Sequence, residues 1–481
     1  MSHPSRGDRF PPAVEVVVKP STIIKSHVIQ LPPVDQFQIR CYAPFLLAFR
    51  LDPQADPFRV FWELRCGLSD ALSEYPFLAG RVVVEDPERN RIAIRVSSED
   101  GVGFKYQSLQ GGGHAQPFPT FNELEKEHFP PSKLPFWLLG VPELLPTNSA
   151  NPCLLLQANF MDGGVLLSFN PHHSTSDLTG WTVFLRSWAK HTAAAAKASR
   201  IATNRLMDIQ DRSPLFRTIN ETPLRECPEL VQNDDAAAYM AALTAALNPT
   251  PANVVSSYWY FSAASLSALK ASCQPADSHT SAWISTNDAL CAFFWRHISL
   301  ARQLSPANNA SSSFNIPCDV RSRVIPQLAQ EYVGNAVVHA TFSLPLSELY
   351  SDAPASLYRA ASALRVALSK IDDRRVRSLY GVFDALPHVG AARYAMDLDP
   401  GPDFYITTLA GQDWHQHDWG CQLRKLAGLR SALLHAITGL NIVFPRLPDG
   451  GLEVFTRYEE EVFERLKADH SFRRYAELRC A

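Results

Sequence analysis

The sequence has 481 residues, which is enough for more than one hydrophobic core and suggests two domains. Apolar residues make up 46% and charged residues 19%, as in an ordinary globular protein. The net charge of −3 excludes the broad positive surface that nucleic-acid-binding proteins present.

The cysteines and the amino-terminal segment predict the cellular compartment of the protein. The nine cysteines include no Cys-x-x-Cys pair, so we expect reduced thiols rather than a zinc site or a disulfide framework. The polar, proline-rich start "MSHPSRGDRFPPAVEV" does not resemble a signal peptide, and no run approaches ~20 apolar residues. We therefore expect a cytoplasmic protein with no membrane or nucleic-acid partner.

The first half of the chain predicts strands and two helices. Segments 13–18, 81–84, 92–96 and 153–170 are alternating or continuously apolar, as strands are. Phe58–Tyr75 has helical spacing and stops before Pro76, which cannot continue a helix. A second helix follows residue 177 and places Trp181, Phe184, Leu185 and Trp188 on one face, with Asp177 or Thr179 as its N-cap.

The rest of the sequence predicts a linker followed by a second domain. Residues 192–230 are mixed and proline-punctuated, as expected of a crossover between domains. Beyond them, strand and helix patterns resume, with "NDALCAFFWRHISLARQL" as a helix and "AVVHATFSL" as a strand. We predict an α/β (α+β) protein with domains at 1–191 and 231–481, of similar size, and undetermined strand order.

The stretch "VLLSFNPHHSTSD" (165–177) joins the last strand of the first half to the second helix. Histidine titrates near neutrality and is a natural general base, and a helix N-terminus offers N–H groups to a developing anion. His173 alone among the fifteen histidines has an aspartate, Asp177, four residues later. The pattern is compatible with catalysis, but surface histidines and helix caps produce it about as often, so the pattern alone does not decide between them.

Other catalytic motifs are missing from the sequence. It contains no Gly-x-Ser-x-Gly, His-Glu-x-x-His, P-loop or Gly-x-Gly-x-x-Gly motif. His415 and His417 could hold a metal with a third ligand, but alternating residues of a strand point to opposite faces. We therefore expect no bound metal.

Several stretches together resemble the BAHD superfamily of acyl-CoA-dependent acyltransferases, in its fungal natural-product branch, which includes trichothecene O-acetyltransferases. "HHSTSD" is similar to the family's His-x-x-x-Asp motif, and "HDWG" (417–420) is similar to a shortened Asp-Phe-Gly-Trp-Gly motif. The other similar stretches, in family order, are "LSEYPFLAGRV" (72–82), "STNDALCAFFWRHISLAR" (285–302), "CDVRSR" (318–323), "EYVGNAVV" (331–338), "DFYITTL" (403–409) and "FPRLPDGGLEV" (444–454).

This resemblance implies two chloramphenicol-acetyltransferase-like domains with a channel between them and His173 at its middle. His173 is then the catalytic base, and Asp177 supports its loop, as the family aspartate does by pairing with an arginine. Asp418 matches the structural aspartate of the second motif, which implies a pair with Arg321. The sequence departs from the family at Leu178, where glycine is usual, and after Gly420, where Cys421-Gln422 replaces Trp-Gly.

The implied function is transfer of an acyl group, most simply acetyl, from acyl-CoA to a hydroxyl of a small secondary metabolite. No permanently bound cofactor is required, and we expect a monomer. Basic residues should hold the phosphates of CoA, and the candidate CoA contacts are Lys270, Thr407, Thr408, Arg424 and Lys425.

Two alternatives remain open. One is a condensation-type enzyme that takes its acyl group from a carrier protein, since that related fold also uses His-His-x-x-x-Asp. The other is a repurposed member that steers cyclisation or release of a polyketide or terpenoid without an acyl donor.

Overall fold

The computed structural model describes residues 13–481 except 111–116, 143–149, 204–209, 247–252, 274, 276–282, 352–354, 399–400 and 432–437. It is a mixed α/β structure with two large hydrophobic cores, one built mainly from the first half of the chain and the other mainly from the second half. The predicted fold class and two-domain architecture are confirmed. All nine cysteines are free and seven are buried, as the sequence predicted.

The first half contains strands and helices of two to nineteen residues. In chain order they are β1 (Val14–Val18), β2 (His27–Gln30), α1 (Pro33–Gln36), β3 (Phe45–Leu51), α2 (Pro57–Glu74), β4 (Arg81–Asp86), β5 (Arg91–Val96), β6 (Val102–Ser108), α3 (Phe121–Lys126), β7 (Asn151–Pro152), β8 (Leu154–Met161), β9 (Gly164–Pro171) and α4 (Leu178–Ala196).

The second half continues the alternation of strands and helices. Its elements are β10 (Leu230–Gln232), α5 (Ala236–Ala246), β11 (Val254–Phe261), α6 (Ala263–Ser272), α7 (Thr286–Ala301), β12 (Ser311–Asp319), β13 (Val337–Pro345), α8 (Leu346–Leu349), α9 (Ser356–Ser369), α10 (Asp373–Ala385), β14 (Ala392–Tyr394), β15 (Phe404–Thr408), β16 (Leu423–Ser431), β17 (Leu440–Val443), β18 (Leu452–Glu459), α11 (Glu460–Ala468), α12 (His470–Arg473) and β19 (Glu477–Cys480).

Two large sheets organise these elements. A six-stranded sheet has the order β1-β6-β8-β9-β3-β16, and a seven-stranded sheet has the order β13-β12-β15-β17-β18-β11-β19. A four-stranded sheet, β2-β5-β4-β7, completes the first half, and β10 pairs with β14.

Local sequence explains the elements that lead to the histidine motif. The apolar run 153–170 is a hairpin, in which β8 and β9 pair antiparallel around Asp162-Gly163. Gly163 has φ +81°, which its lack of a Cβ permits in such a tight turn. Helix α4 then begins where predicted, because the Asp177 side chain accepts the N–H of Gly180 and caps it.

The predicted domain boundaries need two corrections. Helix α4 extends to Ala196, beyond the boundary at 191. Strand β16 lies within the predicted second domain, 231–481, but pairs antiparallel with β3 in the sheet of the first half. Its register joins Leu429 to Leu47 and Ser431 to Phe45, so its apolar side chains complete the core of the first half rather than the second.

No helix among the described residues is long and apolar enough to cross a membrane.

Candidate active site

His173 lies at the junction of β9 and α4, where the sequence placed it. Its backbone N–H donates to the carbonyl of Cys41 at 2.8 Å, and a short 3-10 turn over 173–175 follows. The imidazole is half-buried and packs edge-to-face on the Trp181 indole, with ring centroids 5.2 Å apart. The end of β9, the carbonyl of Cys41 and Trp181 of α4 therefore fix the position of this residue.

The electrostatics of His173 favour the neutral imidazole. Burial lowers its pKa below the ordinary 6.5, while the residue's own backbone carbonyl and the Asp177 carboxylate oppose that shift. A neutral imidazole near pH 7 can accept a proton, so the group has the ionisation state that a general base needs.

His172 faces the protein interior. Its ring is buried, its Nδ1 accepts the N–H of Ser174 at 3.3 Å, and it packs edge-to-face on Tyr42 at 5.5 Å. Burial, together with the charges of His173 and Arg40, lowers its pKa to about 3. His172 is thus a neutral structural residue that stiffens the turn beside His173.

Asp177 pairs with Arg321 across the two halves of the chain. Arg321 Nη2 donates to Asp177 Oδ1 at 2.7 Å and Nη1 donates to Oδ2 at 2.9 Å. Nη1 also contacts Asp319 at 3.0 Å, and Nη2 donates to the carbonyl of Gly334 at 2.8 Å. Burial alone would lower the pKa of Arg321, but Asp177 and Asp319 outweigh it and raise the pKa.

The predicted pair of Asp418 with Arg321 is wrong. Asp418 is exposed, and its Oδ1 accepts the N–H of Gly420 at 2.9 Å. Arg321 is occupied by Asp177 and Asp319, because its strand end faces the histidine loop rather than the second motif. Asp418 therefore caps a turn at Gly420, whose φ is +97°.

Two buried residues near His173 were missed by the sequence analysis. Asn335 lies in "EYVGNAVV", a stretch that we used for the resemblance without assigning a role to its asparagine. Its Nδ2 donates to the carbonyl of His173 at 3.0 Å and to Asp35 Oδ1 at 2.7 Å. Asp35 lies in α1 and gave no sequence signal, because its partner is 300 residues away.

The candidate CoA residues fall into two groups. Thr408 Oγ1 donates to Asn287 Oδ1 at 3.1 Å at the start of α7, next to Thr407. Lys270 Nζ lies 5.6 Å from the ring centre of the exposed Trp283, two residues before the N-cap of the same helix. These residues therefore share the region around the N-terminus of α7.

Arg424 and Lys425 lie elsewhere, on the edge strand β16 of the first sheet. Arg424 Nη2 contacts Asp52 Oδ2 at 3.2 Å, and both side chains are substantially exposed. The structure thus does not bring these two cations together with Lys270, Thr407 and Thr408.

The alternative metal site has no third ligand among the residues that the structure describes. His415 Nδ1 lies 3.4 Å from the carbonyl of Leu426, and His417 Nε2 lies 3.1 Å from Asp413 Oδ1. No group of three or more metal-ligating side chains occurs in the part of the chain that the structure describes.

Comparisons with known proteins identify relatives of this chain. Residues 14–382 match the sequence profile described as the Transferase family. Acyltransferase easC of Emericella nidulans is 31% identical over 478 residues, which cover 97% of this chain and 98% of that protein. Eremophilane O-acetyltransferase prx11 of Penicillium rubens is 26% identical and covers 86% of this chain and 91% of its own.

Solved structures show the same architecture. TRI101 of F. graminearum in complex with ethyl coenzyme A has a TM-score of 0.80 at 22% identity, covering 94% of this chain and 100% of that chain. The fold is therefore that of TRI101. Together with the family profile and the 31% identical relative, this shows that the chain belongs to the Transferase family, the BAHD acyltransferases.

Proposed function

We propose that this enzyme transfers an acyl group, most simply acetyl, from acyl-CoA to a hydroxyl of a small secondary metabolite. The observation that carries the proposal is His173, a neutral imidazole fixed between β9 and α4 in a chain of the acyltransferase family. Relatives named as O-acetyltransferases, and solved TRI101 complexes with coenzyme A and either T-2 mycotoxin or deoxynivalenol, support this donor and acceptor chemistry.

In the proposed reaction His173 removes the proton of the acceptor hydroxyl as its oxygen attacks the thioester carbonyl. The tetrahedral oxyanion collapses, the carbon–sulfur bond breaks, and protonated His173 gives its proton to the departing thiolate. The products are the ester and free CoA. Because a hydroxyl is a weak nucleophile, alignment of the two substrates supplies much of the rate acceleration.

Asp177 contributes indirectly. Both of its oxygens are held by Arg321, Gly180 and Ala336, so its carboxylate points away from the reacting atoms. Its proposed role is to hold the loop that carries His173, and it moves no proton in the reaction.

We place the CoA phosphates near the N-terminus of α7, where Lys270, Thr407 and Thr408 lie. A lysine and hydroxyl groups suit a phosphate, and a helix N-terminus adds a favourable dipole. We further propose that the enzyme is a cytoplasmic monomer that requires neither a metal nor a permanently bound cofactor.

The test is release of free thiol from acetyl-CoA, measured with a panel of hydroxylated terpenoids and polyketides. The expected result is acceptor-dependent thiol release that His173→Ala lowers by about 10²–10⁴. A His173→Ala enzyme within threefold of wild type would contradict the proposed base. Activity only with an acylated carrier protein would establish the condensation-type alternative. Cyclisation or release of the metabolite without any acyl donor would establish the repurposed alternative.

A further inference from the structure

One face of the seven-stranded sheet packs toward the first half of the chain. On β17, β18 and β11 this face carries Ile442, Phe455 and Tyr258, which pair in register and belong to the core of the first half. On β12 and β13 the same face carries polar side chains, Asn315 and His339. Polar side chains at one end of an otherwise apolar face indicate that this end contacts something other than the core.

The strand register establishes that Asn315 and His339 share this face. Asn315 pairs with Tyr405 of β15, which pairs in turn with Leu440 of β17, a residue that packs against the core of the first half. His339 pairs with Pro317, two residues after Asn315, and residues two apart in a strand point to the same side. Asn315 and His339 are therefore diagonal neighbours, about 7–8 Å apart, and both side chains can reach one group of a bound molecule.

Three buried polar atoms beside this face have no hydrogen-bond partner among the described residues. They are Nδ2 of Asn315, Nδ1 of His339 and the hydroxyl of Tyr394. The Asn315 side chain is fully buried, and its Oδ1 accepts the hydroxyl of Thr341 at 2.7 Å, so the amide nitrogen is the atom left without a partner. Because an unpaired buried donor destabilises a fold, several such atoms at one place indicate a site where a ligand pairs them.

Aromatic rings form a wall beside these atoms. The Tyr394 ring stacks on the His339 imidazole, with ring centroids 3.7 Å apart and ring planes 5° apart. The Phe37 ring packs edge-on against Tyr394 at 5.2 Å and stacks on Phe383 at 4.1 Å. The stack fixes the plane of the imidazole and thereby the direction of Nδ1, and aromatic rings suit an apolar skeleton.

The start of β13 is tied to the loop of the proposed base. Asn335, two residues before β13, donates Nδ2 to the His173 carbonyl at 3.0 Å. His339 is the third residue of β13, and after burial the charge of His173 contributes to lowering the pKa of His339 to about 3. Thr407 and Thr408, which we proposed for CoA, lie on β15, and β12 separates that strand from β13. His339 thus lies on the side of the site away from the proposed CoA contacts.

We propose that Asn315 and His339 hydrogen-bond a second oxygen of the acceptor, while His173 removes the proton from its reacting hydroxyl. The amide nitrogen of Asn315 can only donate, so that oxygen must accept a hydrogen bond, as a carbonyl or a hydroxyl does. The acceptor class is therefore a diol or a hydroxy ketone on an apolar skeleton, rather than a simple alcohol. This inference rests on the proposed function and narrows its acceptor.

The first experiment compares the binding of matched compounds that share one terpenoid skeleton. Borneol has a single hydroxyl, whereas the hydroxy ketone hydroxycamphor and the vicinal bornanediol add a carbonyl or a second hydroxyl. Calorimetry with wild-type enzyme and free CoA measures binding without turnover. We expect both oxygenated compounds to bind at least about tenfold more tightly than borneol, which leaves the buried donors unpaired. Equal binding of all three, or no binding of the oxygenated pair, would overturn the proposal.

The second experiment removes the polar atoms and keeps the side-chain shape. Asn315→Leu removes the amide, and His339→Phe removes Nδ1 but keeps a ring on Tyr394. Each variant should bring the ratio of the hydroxycamphor and borneol affinities close to one, while the Kd for CoA stays within twofold of wild type. An unchanged ratio in both variants would refute the proposal, and so would weaker CoA binding with an unchanged ratio, because the residues would then contact the donor.

The matched control is Asn441→Leu. Asn441 is equally buried in the same sheet, but its Nδ2 donates to the hydroxyl of Tyr458, which belongs to the core of the second half. This variant should lower Tm and leave the affinity ratio unchanged. A ratio that falls as far in the control as in Asn315→Leu would reduce the effect to general destabilisation and contradict the proposed contact.

The two proposals can fail separately. If His173→Ala still releases thiol while Asn315→Leu abolishes the preference for hydroxycamphor, the proposed base is wrong and the second contact stands. If His173→Ala is inactive and borneol binds as tightly as hydroxycamphor, acyl transfer stands and the acceptor class is wrong.

Discussion

Arg321 and Asp177 form a two-point ion pair, with nitrogen–oxygen distances of 2.7 and 2.9 Å, between a strand end of the second half and the N-cap of α4. Both side chains are at least nine-tenths buried. The pair therefore ties the loop that carries His173 to the packing of the two halves.

Breaking this pair should destabilise the protein strongly. Arg321→Met leaves a buried carboxylate without its partner, so we expect the free energy of unfolding to fall by about 3–5 kcal/mol. Denaturant titration measures this loss. Asp418→Asn is the control, because Asp418 is exposed, and it should stay within about 0.5 kcal/mol of wild type. If Asp418→Asn were the more damaging change, the structural assignment of the two aspartates would be reversed.

The rate of transfer should depend on pH through His173. Its pKa lies below 6.5, and the base is active when neutral, so activity should be constant near pH 7 and fall below pH 6.5 as His173 is protonated. His172 has a pKa of about 3 and is neutral throughout this range. The pH–rate profile of His172→Gln should therefore keep the acidic limb, with about tenfold lower activity from loop displacement. Loss of the limb in that variant would identify His172 as the base.

Stability should also decline in acid, and His172 should contribute to the decline. Its pKa is about 3 in the folded protein and about 6.5 when the chain is unfolded, so the unfolded state gains the proton first as the pH falls. The contribution is fully present above pH 6.5 and diminishes toward pH 3, by up to about 1.4 kcal/mol per pH unit. His172→Gln should flatten the fall of Tm between pH 7 and 5, and an unchanged slope would contradict the neutral, buried assignment.

Use of the acyl donor should depend on Lys270 and not on Arg424. If Lys270 contacts a phosphate near α7, Lys270→Ala removes a charged hydrogen bond, which corresponds to about a tenfold to hundredfold loss in kcat/KM for acetyl-CoA. Arg424→Ala also removes a positive charge, but one that pairs with Asp52. It should leave kcat/KM for acetyl-CoA within twofold of wild type. Steady-state kinetics with varied acetyl-CoA measure kcat/KM for both variants. A larger loss in Arg424→Ala than in Lys270→Ala would indicate that the CoA phosphates bind near β16.

Chelation should leave the enzyme active. His415 and His417 contact a backbone carbonyl and Asp413, and no third ligand joins them among the described residues. Dialysis against EDTA should therefore not change the rate of thiol release. Activity that is lost on dialysis and regained with Zn²⁺ would re-establish a metal site there.

Sequence analysis succeeded where the signal is local. The apolar hairpin, the doubled histidine and the helix-capping Asp177 are neighbours along the chain, so their arrangement follows from strand and helix patterns. The resemblance implied that Asp177 pairs with an arginine, and the structure shows such a pair, but we assigned its partner, Arg321, to Asp418. Residues 177 and 321 are 144 positions apart, and only the packing of the two halves determines their contact.

The same reason explains the residues that were missed. Asp35 and Asn335 are separated by 300 positions, and each is unremarkable in its own segment. No local feature of the β16 sequence specifies which sheet this strand joins. Long-range pairing partners are therefore the part of this structure that composition and periodicity could not supply.

The placement of β16 has a consequence for dividing the protein. Residues 1–230 expressed alone would lack the edge strand that covers β3, and an uncovered, apolar strand edge promotes aggregation. Proteolysis within the crossover should instead give two fragments that remain associated, because one fragment contributes a strand to the sheet of the other. The first half could therefore not be isolated intact by deleting the second half, since the second half supplies a strand of its sheet.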